Sequence, residues 1–281
     1  MADTVYKLFI SSIIMLWGFL SVPCIAAVTP LTGEEIVKRC GVKYPGEDQR
    51  SNFEVLLRDN QGHEKRSVYL RIWKDYKGIN NILDKMLLFT QYPPDAQGAA
   101  FMRVTYAKDL EKAADQWIYL PVLRKIRRVS IRDQGDSFLN SELTYADVTQ
   151  RSVDEDTHKL LGVKELGGLQ FYVVESTPRE SSPLYSKRIQ WFNKTPDWED
   201  CSNVRIDYYN PKGALLKEQF IKWQRVGRAW VWDRVLVRNV QTLHASIFLI
   251  TDVKINTGIT DNVFSELTLR IGPSALPDIV Q

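Results

Sequence analysis

The sequence predicts a mainly β protein with one domain of about eleven antiparallel strands. Three observations lead to this fold class. Apolar residues recur with a period of two along most of the chain. The links between these runs are short and contain Gly, Pro, Asn or Asp, so consecutive strands should lie side by side and antiparallel. No linker rich in Pro, Gly or Ser and no block of like charge divides the chain.

A short helix is predicted before the strands, over residues 32–40. Thr32 is suited to cap its N-terminus, Glu34 and Glu35 stand in its first turn, and Gly41 follows as a stop signal.

The first hairpin joins 52–58 to 68–73. In its first run Phe53, Val55 and Leu57 alternate with mostly polar residues, and an Asp-Asn-Gln-Gly turn signal follows. Comparable runs predict the later strands at 85–91, 99–106, 116–120, 159–165, 169–176, 185–192, 204–209, 214–223, 229–237 and 242–254.

The middle of the chain, 129–151, is not strand-like, and 141–147 could form a helix. Many strands carry apolar groups on both faces. In 229–237, strict alternation would put Val235 and Trp232 on opposite faces. Both faces of the sheet should therefore be partly covered, or one face should line an apolar cavity.

Composition favours a globular binding protein over an enzyme. The chain has 281 residues, of which 44% are hydrophobic and 25% are charged, which excludes disorder, collagen and coiled coil. A net charge of +3 is too small to suggest binding to nucleic acid. The chain contains only three histidines, His63, His158 and His244, which leaves few groups for acid–base chemistry or metal binding.

The motifs of catalysis are weak. Gly135–Phe138 reads Gly-Asp-Ser-Phe, which matches the start of one hydrolase signature, but Ser137 would need a histidine oriented by an acid. His158 and His244 lack the Asp-x-x-His spacing of that signature. The sequence has no Gly-x-Ser-x-Gly, P-loop, Cys-x-x-Cys or His-Glu-x-x-His motif. We expect no catalytic residue, no metal site and no cofactor.

The N-terminus has the layout of a secretory signal peptide. Lys7 precedes an apolar run over 8–22, and small residues at positions −3 and −1 favour cleavage after Ala26. An uncleaved anchor and lipidation at Cys24 are the alternatives. The boundaries predicted here are 1–26 for the signal peptide and 27–281 for the exported domain.

Two cysteines, Cys40 and Cys201, remain after that cleavage. An oxidising compartment permits a disulfide between them, and two free thiols are the alternative.

A basic segment is the strongest local charge feature, comprising Arg124, Lys125, Arg127 and Arg128, with Arg132 nearby. Export argues against nucleic acid as its partner. The segment could be a solvated strand edge that its charges keep from pairing. It could also contact anionic lipid head groups or an acidic partner surface.

Several stretches spread along the chain resemble, in the same order, those of the periplasmic outer-membrane lipoprotein-sorting-like family, which is related to the LolA/LolB lipoprotein carriers. At 140–142 this chain has Asn-Ser-Glu where the family usually has Gly-Ser/Thr-Asp. The resemblance rests on residues 93–98, 116–121, 127–129, 135–147, 172–178, 185–188 and 256–261.

The resemblance implies a half-open antiparallel β-barrel, with short helices covering a concave face that buries a cavity for acyl chains. It also implies a periplasmic location and association with RND/MMPL-type transporters of the inner membrane. We therefore expect a monomeric, non-enzymatic carrier that moves lipid or lipoprotein acyl chains towards the outer membrane. The alternative is an adaptor of such a transporter without lipid transfer of its own.

The residues expected to serve these roles fall into three groups. A one-residue error in register would move a whole strand's set to the other face. The cavity wall is predicted to comprise Phe53, Val55, Leu57, Leu70, Ile72, Phe89, Phe101 and Trp117. The lid is predicted to comprise Phe138, Leu139, Leu143 and Tyr145. The contacts to a partner or head group are predicted to be Arg124, Lys125, Arg127 and Arg128.

Overall fold

The computed structural model describes residues 30–41, 43–107, 114–129, 135–149, 151–180, 182 and 184–276. The predicted signal peptide and Arg132 lie outside the described residues. Residues from Leu31 onward form one compact unit. Within the described ranges, no helix is long and apolar enough to cross a membrane.

The described strands form a single antiparallel sheet of thirteen strands, which confirms the predicted fold class. The order across the sheet is β6-β5-β4-β3-β2-β1-β13-β12-β11-β10-β9-β8-β7. The bounds are β1 Asp48–Arg58, β2 Glu64–Asp75, β3 Ile82–Tyr92, β4 Ala100–Tyr106, β5 Asp115–Leu120, β6 Lys125–Val129, β7 Asp156–Leu166, β8 Leu169–Pro178, β9 Lys187–Asn193, β10 Asn203–Tyr209, β11 Leu215–Val226, β12 Ala229–Asn239 and β13 Ala245–Ile255.

The strand count is higher than the predicted number of about eleven, and β6 is one strand that the count omitted. It coincides with the basic segment and forms an edge of the sheet. Lys125, Arg127 and Arg128 are all exposed, so β6 lacks the apolar alternation from which strands are predicted.

The strand order determines the path of the central segment. The sheet consists of two meanders, β1–β6 and β7–β13, joined where β1 pairs with β13. Its two edge strands, β6 and β7, are therefore consecutive in sequence. The segment that links them has to pass from one edge of the sheet to the other.

The sheet is strongly curved. Met86 of β3 and Trp223 of β11 line the same cavity of about 360 Å³. In a flat sheet the five steps between these strands would separate them by roughly 24 Å, which is far wider than such a cavity. We call the face that carries Met86 and Trp223 the concave face.

Two helices cover opposite faces of this sheet. The predicted N-terminal helix is confirmed as α1 (Gly33–Ile36), which continues as a turn of π-helix to Gly41. Thr32 caps α1 by accepting a hydrogen bond of 3.1 Å from the backbone N–H of Glu35. Ile36 packs with residues of β8 and β9 on the concave face. A second helix, α2 (Glu266–Ile271), buries Leu269 against the opposite face.

A disulfide joins Cys40 to Cys201. Both cysteines are buried beside Phe192 of β9. The bond therefore ties the end of the α1 region to the segment that precedes β10.

Candidate ligand-binding cavity

The apolar wall of the cavity is dominated by tryptophans on the concave face. Pairing register explains how they come together. A shift between Lys222 and Trp223 pairs Trp223 with Trp232 on the neighbouring strand. The bulge turns Trp232 to the same face as Val235, although strict alternation would have separated the two. The apolar residues that line the cavity include Phe53, Trp73, Met86, Phe138, Val148, Trp223, Trp230, Val231, Trp232 and Ile250.

The segment 135–149, which we call the lid, packs against this wall. Phe138 and Leu143 are buried in the same cluster as Phe53, and Leu139 and Tyr145 pack against that cluster. The lid folds back on itself, because Phe138 N–H donates a hydrogen bond of 2.7 Å to the Leu143 carbonyl. It lies within the link between the two edge strands, so its position follows from the topology.

The expected helix over 141–147 does not form, and this prediction was wrong. The Asp147 carboxylate instead accepts hydrogen bonds from the backbone N–H and the hydroxyl of Thr144, at 2.7 and 2.9 Å. Such local side-chain bonds compete with helical backbone bonds and favour turns.

A buried ion pair anchors the lid to β11. Lys217 Nζ lies 2.6 Å from Asp147 Oδ2, and both side chains are almost completely buried. Lys217 also donates a hydrogen bond of 2.7 Å to the Glu142 carbonyl. The Tyr185 hydroxyl donates to the same Asp147 oxygen at 3.1 Å. Burial raises the pKa of the Tyr185 hydroxyl, and the Asp147 charge adds to this effect, so Tyr185 stays a neutral donor.

Two arginines also line the cavity, Arg71 on β2 and Arg103 on β4. Arg103 Nη2 lies 3.3 Å from Asp84 Oδ1. Arg71 Nη1 donates a hydrogen bond of 2.6 Å to Gln49 Oε1. Burial lowers the pKa of Arg71 to about 10; the Asp84 charge opposes this decrease, and the neighbouring Arg103 charge adds to it. Arg71 therefore remains charged at neutral pH.

The structure divides the eight predicted wall residues between the two faces. On the concave face, Phe53, Val55 and Phe101 are buried in the cluster that holds the lid, and Leu57 packs against it. The other four face α2. Residues that pair across neighbouring antiparallel strands share a face, and Phe53 pairs with Tyr69. The residue after Tyr69, Leu70, therefore points to the opposite face. These four are Leu70, Ile72, Phe89 and Trp117.

The basic residues lie apart from the cavity lining, at the β6 edge. Arg124, Lys125 and Arg127 are exposed, and Arg128 pairs with Asp115. This arrangement agrees with a solvated edge, and a contact to a partner or head group stays a prediction.

The serine and histidines considered for catalysis have other partners. Ser137 donates its hydroxyl to the Ser141 carbonyl at 2.5 Å. His158 contacts Ser176 and the Val153 carbonyl, His63 contacts Asp59, and His244 lies beside Glu142. Across the described residues, no group of three His, Cys, Asp or Glu is placed to hold a metal ion.

Comparison with known proteins identifies the family and the fold. A family model described as "Uncharacterized protein" matches residues 83–270, which is more than half of the chain. The chain belongs to that family. No curated protein matches it.

Three solved structures share its fold. An outer membrane lipoprotein-sorting protein domain from Vibrio parahaemolyticus has a TM-score of 0.69 and 24% identity, over 85% of this chain and 98% of that one. A DUF1329 family protein from Desulfovibrio piger has a TM-score of 0.72 and 23% identity, over 84% and 97%. A LolA superfamily protein from Nitrosomonas europaea has a TM-score of 0.60 and 16% identity, over 84% and 99%. The resemblance to LolA-like proteins is thus confirmed at the level of the fold.

Sequence reasoning missed the residues that define the polar part of the cavity. Arg71 and Arg103 each interrupt an apolar strand run, which is a signal that could have been used. Trp223 and Trp232 lie in the predicted strands 214–223 and 229–237, but the bulge that brings them together leaves no mark in the sequence pattern.

Proposed function

We propose that this protein is a periplasmic carrier that binds lipid or lipoprotein acyl chains in the concave cavity and moves them towards the outer membrane. The observation that carries this proposal is a cavity of about 360 Å³ walled by aromatic side chains and covered by the lid. Burial of an acyl chain there would contribute about 0.8 kcal/mol for each CH₂ group removed from water.

Two features support export from the cytoplasm. The N-terminal sequence has the layout of a signal peptide. The Cys40–Cys201 disulfide is a bond that persists in oxidising compartments such as the periplasm. The similar structures described as lipoprotein-sorting and LolA superfamily proteins agree with a carrier role.

The test is to extract and identify what copurifies with the exported chain, and to repeat the measurement after filling the cavity. Val148 lines the cavity, so Val148→Trp should reduce the bound lipid. Val163 is exposed on β7, so Val163→Trp is the matched control and should retain the lipid.

Native mass spectra of the wild-type chain should show lipid adducts. If the spectra show none and the chain takes up no fluorescent fatty acid, the carrier function is wrong. Equal loss of lipid in the two variants would exclude this cavity as the binding site.

A second candidate is the adaptor of an RND/MMPL-type transporter, and the β6 edge favours it. Val122 is 89% exposed, and the exposed residues Leu123 and Arg124 follow it directly in the chain, before Arg127 on β6. Apolar groups next to basic ones would suit an acidic partner surface. Arg127→Glu should then abolish capture of the transporter while lipid uptake persists. Lys159→Glu, on the exposed opposite edge strand, is the control and should leave capture intact.

A further inference from the structure

Two arginines in a cavity for acyl chains, Arg103 buried and Arg71 partly buried, are an unexpected feature. Arg71 pairs across the sheet with Leu88, and Arg103 pairs with Met86, so both arginines stand on the concave face on either side of β3. Arg103 is 6% exposed. Removing a charge from water is costly unless the charge is compensated, so a cavity that held only hydrocarbon would be better lined by apolar residues.

The protein compensates these two charges incompletely. Asp84 pairs with Arg103 and its charge also acts on Arg71, whose own hydrogen-bond partner is the neutral amide of Gln49. Asp147, which also lines the cavity, is already paired with Lys217. Two guanidinium groups and one carboxylate thus leave an excess of one positive charge on this part of the wall.

In the described part of the chain, the guanidinium groups also have a hydrogen-bond donor without a partner. A guanidinium carries five N–H donors. Among the residues that the structure describes, Arg103 Nε is buried and has no hydrogen-bond partner. An oxyanion could accept from this group and from Arg71, since planar guanidinium groups bind carboxylate and phosphate oxygens well.

We propose that the cavity binds an anionic amphiphile, whose carboxylate or phosphate head is held by Arg71 and Arg103 while its acyl chain lies against the tryptophans. This inference rests on the proposed carrier function and specifies its ligand class. The apolar part of the site adjoins the charged part directly, because Trp73 and Met86 stand beside the two arginines on the same face.

The test compares ligands that share a chain but differ in the head group. Binding of palmitate and of hexadecanol is measured by the tryptophan fluorescence of the purified chain, with inorganic phosphate as a third probe. Palmitate should bind at least tenfold more tightly than hexadecanol, and phosphate alone should bind only weakly.

Variants then connect the preference to the arginines. Arg71→Gln leaves the Asp84–Arg103 pair in place and should remove most of the preference for palmitate without weakening hexadecanol binding. Arg58→Gln, on an exposed part of β1, should keep the full preference. The double variant Asp84→Asn/Arg103→Gln removes that ion pair as a unit and should reduce the preference, because Arg71 alone would then hold the head group.

The outcomes separate this inference from the carrier function. Equal affinity for palmitate and hexadecanol would overturn the anionic ligand class but retain the carrier. Tight binding of inorganic phosphate without binding of either amphiphile would indicate a site for a free anion and would overturn both. Absence of all binding would overturn both as well. An unchanged preference in Arg71→Gln would exclude the arginines as the head-group site.

Discussion

At the residue scale, the conformation of the lid depends on Asn140. Leu139 and Asn140 have φ angles of 53° and 60°, in the left-handed region that most side chains avoid. Asparagine tolerates this region better than most residues, and glycine adopts it freely. The resemblance to the lipoprotein-sorting-like family implies a glycine at this position, and the φ angle of Asn140 lies in the region that a glycine adopts freely.

Substitution at Asn140 tests this explanation. Asn140→Gly should leave the free energy of unfolding within about 0.5 kcal/mol of the wild type, whereas Asn140→Val should lower it by roughly 1–2 kcal/mol because a β-branched residue is strained at positive φ. Denaturant unfolding measures both values. If valine is tolerated as well as glycine, the left-handed turn is not present in solution.

The Lys217–Asp147 pair gives a second prediction at this scale. Asp147→Asn should destabilise the chain by about 3–5 kcal/mol, because Lys217 would remain buried without a counter-charge. The double variant Asp147→Asn/Lys217→Met should recover part of that loss. The measurement is again denaturant unfolding of the single and double variants. Additive losses would show that the two residues do not interact.

Some residues of the site could be predicted from the sequence, and others could not. The lid residues Phe138 and Leu143 could be singled out because they lie in a motif that resembles a known family. The charges of Arg71 and Arg103 could not be assigned to a cavity from the sequence alone. Whether a strand residue points inward depends on register, and a single bulge or a one-residue shift reverses it.

At the scale of elements, the hairpins were predictable and the exceptions have local causes. Turn residues and period-two runs indicated most of the strands, and Thr32 indicated α1. The β6 strand was not predicted because Lys125, Arg127 and Arg128 are exposed charges and leave no apolar alternation. The expected helix over 141–147 gave way to a turn because Asp147 bonds the Thr144 backbone. On β2 and β3, the prediction assigned Leu70 and Phe89 to the cavity wall, whereas both side chains lie on the opposite face, under α2.

The disulfide gives a prediction at the scale of elements. It joins residues 161 positions apart, and closure of so long a loop should stabilise the fold by about 4–5 kcal/mol through loss of chain entropy in the unfolded state. Cys40→Ser/Cys201→Ser should show that decrease in its free energy of unfolding. The wild-type chain in reductant should show the same decrease. An unchanged stability in both would contradict a structural role for the bond.

At the scale of the whole molecule, one topological feature produces the site. Pairing of β1 with β13 joins two meanders, and their outer edges are consecutive in the chain. Curvature brings β3 and β11 to one cavity, and the link between the edges supplies the lid that covers it. The strand pattern predicted the sheet, but curvature and the position of the lid came only from the resemblance to LolA-like proteins, since hairpin periodicity carries no information about either.

The most direct test of the central claim is whether an acyl chain enters among the tryptophans of the cavity. A fatty acid that carries bromine atoms at mid-chain should quench the tryptophan fluorescence of the purified chain saturably. Trp223→Phe/Trp232→Phe should lose much of that quenching, whereas Trp191→Phe, outside the cavity lining, should retain it. Quenching that does not saturate, or that is unchanged in the Trp223→Phe/Trp232→Phe variant, would contradict the account.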